Sequence, residues 1–153
     1  MSLKLYYKEN DAYIEVSSAG SFESPVATTH NGKTGDVTTE QLYIRNNNSA
    51  LWYSNIIISS YDATRTPTKD DSDYESTGWG IKLSEGSEEP TEGVWENLLW
   101  NNRIEMDDIG SSASGDSTTY YPFWRLITCP PHTNIQIKKN IYIRVEYTEN
   151  AVS

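Results

Sequence analysis

The sequence predicts an all-β, antiparallel sandwich, and three observations carry that expectation. Over residues 141–147 (IYIRVEY), Ile141, Ile143, Val145 and Tyr147 share one face, while Tyr142, Arg144 and Glu146 share the other. This is the period-two pattern of a half-buried strand. Residues 120–129 (YYPFWRLITC) supply a second such run, set off by the turn at Pro130-Pro131. No long amphipathic helix interrupts the chain, and turn residues recur at short intervals, the profile of about seven or more short strands packed in two layers.

Each element follows in order. Leu3, Leu5 and Tyr7 alternate with Lys4 and Tyr6, Glu9-Asn10-Asp11 turns the chain, and residues 13–16 return it, which predicts an amino-terminal hairpin. Residues 17–25 are small and polar around Phe22, and residues 30–36 hold Asn31-Gly32 and Gly35, an exposed loop with candidates for positive φ. Leu42 and Ile44 then oppose Tyr43 and Arg45 in a strand that ends at the polar turn 46–49. Residues 52–60 (WYSNIIISS) carry a β-branched run expected of a central strand covered on both faces. Residues 61–78, with Pro67 and the acidic stretch 70–73, read as a long exposed loop, and residues 79–83 as a further strand. Pro90, Glu92 and the spacing of Val94, Trp95, Leu98 and Leu99 predict one short helix, against which Gly93 counts. Ile104 and Met106 mark another strand, and residues 110–117 a Gly/Ser loop. Five Trp and eleven Tyr residues supply the core area that a modest aliphatic content does not.

At 153 residues the chain is the size of one domain, so residues 1–153 are read as a single sandwich, with 1–25 as an amino-terminal hairpin or arm. A formal net charge of −10 repels phosphate backbones and anionic lipid, so neither nucleic acid nor membrane is an expected partner. Cys129 is the one cysteine; no intrachain disulfide is expected, and the side chain reads as a small buried hydrophobe. The opening residues break their apolar positions with Lys4, Lys8 and Glu9, so no secretory leader is expected. Without one, Asn47-Asn48-Ser49 is a polar turn rather than a glycosylation site.

Candidate chemistry is weak throughout. Gly32-Lys33-Thr34 ends like a phosphate-binding loop, but the earlier glycine falls at Ala27 and no helix is expected to follow. Asp71, Asp73 and Glu75 alternate like the first ligands of a calcium loop, yet Ser76 stands where the turn glycine belongs. His30 and His132 are the only histidines, too few for a three-histidine zinc site, and are read as polar turn residues. Cys129 stands against Pro130 at a strand end, without the helix terminus that lowers a thiol pKa. No catalytic residue, metal ligand or cofactor site is therefore assigned, and a non-enzyme is expected.

Residues 42–46 (LYIRN), 53–58 (YSNIII), 123–133 (FWRLITCPPHT) and 141–147 together resemble bacterial and viral immunoglobulin-like modules. In those, a strand ending in Asn precedes a turn, and a late strand ends in Pro followed shortly by Thr. The resemblance covers roughly Val37 to Thr148 and lacks the paired cysteines of antibody domains, so it implies an immunoglobulin-like sandwich alone. The whole chain, short, acidic and rich in Ser, Thr, Asn and Tyr, is similar to small structural proteins of tailed bacteriophages. That likeness implies a virion component in capsid decoration or in a tail or baseplate. It also implies synthesis in the host cytoplasm, other virion proteins as partners, and homo-oligomeric or multiple copies on a symmetric particle.

The crowded hairpin is the candidate protein-interaction surface, through Leu3, Leu5, Tyr6, Tyr7 and Tyr13, because an isolated hairpin needs a surface to lie on. The alternative is that it pairs with the domain's own sheet. A rival function is carbohydrate recognition, with rings of Trp52, Trp79, Trp95 or Trp100 stacked on sugars.

Overall fold

A computed structural model describes residues 3–16, 33–62, 80–111, 119–129, 131 and 141–152. His30, His132, Trp79, Asp71, Asp73 and Glu75 lie outside the described residues. The described chain is an all-β sandwich of two antiparallel sheets. Its strands are β1 (Leu3–Glu9), β2 (Ala12–Glu15), β3 (Asp36–Asn46), β4 (Leu51–Asp62) and β5 (Gly80–Glu85). The short helix α1 (Glu92–Asn97) precedes β6 (Arg103–Met106), β7 (Tyr121–Cys129) and β8 (Ile141–Ala151). One sheet has the order β2-β1-β3-β7-β5 and the other β6-β4-β8.

Alternation dictates what each strand buries. On β3, Leu42, Ile44 and Asn46 are buried, and Gln41, Tyr43 and Arg45 look away from the core. Cross-strand partners share a face. Leu42 stands opposite Tyr7 on one side and Phe123 on the other, so those side chains join it inside. From the second sheet, Tyr53, Ile56 and Ile58 of β4 and Ile104 of β6 complete the cluster, with Ile143, Val145 and Tyr147 of β8 packed against it. Ile57, on the other face of β4, is half-buried, which agrees with a central strand. Asn55, at φ 51°, sits at the register shift of β4 against β8, the extra residue of a bulge.

The hairpin turn is chemically specified. Glu9 pairs with Ala12, leaving Asn10 and Asp11 as a two-residue loop, both at positive φ (50° and 65°), the conformation that right-twisted strands need and that Asn and Asp tolerate. β1 lies along β3 from Leu3 opposite Asn46 to Tyr7 opposite Leu42, so the hairpin is two strands of the main sheet. At the far end Asn46 is wholly buried and satisfied: its Nδ2 donates to the carbonyls of Leu51 and Gly110, each at 2.9 Å, and its Oδ1 accepts from Asn48 N at 2.9 Å. The strand-ending asparagine thus ties the β3–β4 turn to the segment after β6.

Two expectations need correction. Helix α1 spans six residues and buries Trp95 alone; Val94 and Leu99 are 46% and 59% exposed, because a helix this short presents little more than one turn to the sheet. β4 extends through Tyr61 to Asp62, beyond the start proposed for the loop. Lys33 and Thr34 occupy a turn leading into strand β3, in keeping with the expectation that the helix phosphate binding requires does not follow Gly32. No helix among the described residues is long and apolar enough to cross a membrane.

Candidate functional site

The outer face of the five-stranded sheet divides into two halves. Over one half the chain folds back on itself. Thr39 Oγ1 donates to Glu89 Oε1 and Gln41 Nε2 to Ser87 O, both at 2.9 Å, which draws the segment after β5 across β3. Beside it, Lys82 Nζ donates to Trp95 O at 2.8 Å and stands 4.4 Å from the Trp100 ring centroid, pinning α1 on β5. Burial lowers the Lys82 pKa, with the Glu96 charge opposing that fall.

The other half carries four tyrosines from four segments. Register assembles them: Tyr6 of β1 is directly opposite Tyr43 of β3, and Tyr121 pairs with Ile44, which puts Tyr120 beside Arg45. Tyr13 of β2 stacks on Tyr120 with centroids 3.6 Å apart and planes 8° from parallel. Tyr6 meets Tyr120 edge-on at 5.2 Å, and Tyr43 meets Tyr13 edge-on at 5.0 Å, the arrangement that ring quadrupoles favour. Cations lie over both stacked rings, Lys8 5.3 Å from the Tyr13 centroid and the Arg45 guanidinium 4.7 Å from that of Tyr120.

Hydrogen bonds then lock three of the phenols. Arg45 Nη1 donates to Tyr120 Oη at 2.6 Å, Asn47 Nδ2 to Tyr6 Oη at 3.0 Å, and Tyr43 Oη donates to Gln41 Oε1 at 2.8 Å. Burial raises the Tyr43 pKa, the neighbouring Tyr13 adds to the rise, and Lys8 opposes it. Tyr13 is the open member, 38% exposed, and its hydroxyl has no hydrogen bond among the described residues. An open cleft of about 440 Å³ runs beside the patch, lined by Lys8, Asn10, Asp11, Gln41 and Tyr43 among others.

Of the five hairpin residues proposed from sequence, the structure brings Tyr6 and Tyr13 onto this surface. Leu3 is 1% exposed, and Leu5 and Tyr7 pack against the core, so these three face inward. Tyr43, Arg45 and Tyr120 were missed. The signal available was the alternation of Tyr43 and Arg45 with Leu42 and Ile44, which places them opposite the core. Among the tryptophans, Trp95 is buried, Trp100 lies under the Lys82 ammonium, and Trp52 is half-buried on the outer face of the other sheet, opposite Asn150. Within the described residues no three His, Cys, Asp or Glu side chains gather as a metal ligand set. Cys129 is buried.

No family model, no characterised protein and no solved structure matches this chain.

Proposed function

We propose that this chain is a non-enzymatic binding module, a structural component of a tailed-phage particle that serves in capsid decoration or in the tail or baseplate. The observation that carries the binding reading is the tyrosine face. Four rings are held by mutual contact and by cations, and one of them, Tyr13, offers an open edge and a hydroxyl with no bond among the described residues. Rigid aromatic side chains give a partner large contact area at low entropic cost, which is why Tyr concentrates in protein-binding surfaces. The immunoglobulin-like and virion readings rest on the sequence resemblances, and the partners they imply are other virion proteins.

Incorporation is the test. Tagged chain is produced during assembly of the particle encoded alongside it, and purified particles are assayed for the tag. The native chain is expected in the particles, and Tyr13→Ala is expected to reduce its incorporation by roughly tenfold or more, the size of a modest interface hot spot. Particles free of the native chain would sink the virion reading, and undiminished incorporation of Tyr13→Ala would remove the tyrosine face from it.

A further inference from the structure

A sheet edge presents unpaired N–H and C=O groups that another strand can take, so folded proteins shorten, charge or cover their edges. Among the described strands the four edges are β2 and β5 in one sheet and β6 and β8 in the other. The β5 edge is covered. Asn101 N donates to Ile81 O at 2.6 Å, Leu83 N donates to Asn102 Oδ1 at 2.7 Å, and Asn102 Nδ2 donates to Leu83 O at 2.9 Å. The asparagines act as a substitute strand. Edges β2 and β6 are four residues each. β8 is different: it runs for eleven residues, pairs with β4 on one side, and contains no Pro, Gly or Lys.

Both faces of β8 suit a neighbour. Inward, Ile143, Val145 and Tyr147 pack on the core yet remain half-buried, so the apolar layer continues to the rim of the sandwich. Outward, Arg144 and Glu146 are exposed and meet each other along the strand, Nε to Oε1 at 3.4 Å.

We infer that β8 pairs antiparallel with β8 of a second copy, about a two-fold axis at Val145. Side-chain chemistry selects this register. It sets Arg144 against Glu146 of the second copy, twice by symmetry, and Ile143 against Tyr147 of the second copy, so opposite charges and apolar layers both match. A one-residue shift of the pairing opposes inward side chains to outward ones. Centring the axis on Arg144 or on Glu146 keeps the faces but sets like charges together. The product joins two three-stranded sheets into one continuous sheet and leaves both tyrosine faces on the sheets that do not pair. The inference rests on the proposed reading only in naming one of the module's neighbours, and because it uses the other sheet, each can fail alone.

The experiment is sedimentation of the purified chain over a dilution series, with two charge reversals. The native chain dimerises. R144E places Glu against Glu, and E146R places Arg against Arg, so each weakens dimerisation by roughly tenfold or more. Mixing the two variants recovers a heterodimer, since R144E then meets E146R with opposite charges at both contacts. Circular dichroism and melting verify that each variant folds. If one does not, hydrogen exchange on the native chain decides, because β8 amides lose protection on dilution only if the edge is shared. A native chain that stays monomeric, a dimer indifferent to both reversals, a mixture that does not re-associate, or β8 protection independent of concentration would overturn the inference. Y13A is expected to leave the dimer intact, and a dimer lost with Y13A and not with the reversals would assign self-association to the tyrosine face instead.

Discussion

Removing Tyr120 asks whether the tyrosine platform is built rigid or merely crowded. Its ring stacks on Tyr13 at 3.6 Å, meets Tyr6 edge-on at 5.2 Å and Tyr43 at 6.3 Å, and lies 4.7 Å from the Arg45 guanidinium. Its hydroxyl also accepts a 2.6 Å hydrogen bond from Arg45. An aromatic pair contributes about 0.5–1.5 kcal/mol beyond area burial, and an exposed cation over a ring about 0.5–1 kcal/mol. The cluster is half open to water and the Tyr43 contact is long, so the lower values apply, and Tyr120→Ala is expected to cost about 2–3 kcal/mol. Tyr120→Phe keeps every ring contact and forfeits the hydroxyl, at about 1 kcal/mol. A double-mutant cycle of Tyr13→Ala and Tyr120→Ala isolates the stack, with an expected coupling of about 1 kcal/mol. Urea unfolding followed by circular dichroism measures all four stabilities, and unchanged denaturant slopes would license the comparison. A Tyr120→Ala cost below about 0.5 kcal/mol, or a coupling near zero, would refute the reasoning: Tyr13 would then be an independent side chain with no preorganisation to offer a partner.

Two further outcomes follow from groups that titrate. Arg125 is buried on the core face and pairs with Glu40; burial lowers its pKa to about 10, so at neutral pH it remains a cation. Because Glu40 is the more exposed partner, Glu40→Gln removes the carboxylate facing a buried cation and is expected to cost about 3–5 kcal/mol, Arg125→Met less, and the double Glu40→Met/Arg125→Met least. Equal losses in thermal or urea unfolding from the two single changes would contradict that ranking. For Tyr43, whose pKa is raised above 10.0, the neutral phenol is favoured by folding, so its contribution is fully present below pH 10.0 and lost as pH rises through the folded-state value. Phenolate absorbance should show a late-titrating component that Tyr43→Phe removes; a titration that this substitution leaves unchanged would mean that burial does not hold the Tyr43 phenol neutral.

The strands were legible because a sheet with one buried face writes a period of two into its residues. β3 and β8 show it directly, Leu42 and Ile44 against Tyr43 and Arg45, Ile143 and Val145 against Arg144 and Glu146. The two-residue turn at Asn10-Asp11 was legible from the side chains that tolerate positive φ. Placement on the sheet was not. Grouping Leu3, Leu5 and Tyr7 with Tyr6 and Tyr13 mixes both faces of one hairpin, since alternation separates the first three from Tyr6 as soon as β3 supplies a partner. Nor does local pattern reveal Arg125, a charged residue at a core-facing position of β7, whose placement depends on Glu40 standing opposite it in β3. The tyrosine cluster depends in the same way on β1, β2, β3 and the entry to β7, and register between distant strands is information no single segment holds.

The division of the outer sheet face is what favours binding at one end of it. Where the chain needs that face closed, it closes it with its own following segment: the Ser87 and Trp95 carbonyls and the Glu89 carboxylate are drawn over Gln41, Lys82 and Thr39 by direct hydrogen bonds. At the tyrosine end the side chains are larger and more apolar, so covering them would return more free energy, about 25 cal/mol for each Å² removed from water. Yet no described element crosses it, and the rings hold one another instead. A face that is stiffened but crossed by none of the described elements forgoes stability among those elements, and the free energy withheld there is available to a surface that lies down on it.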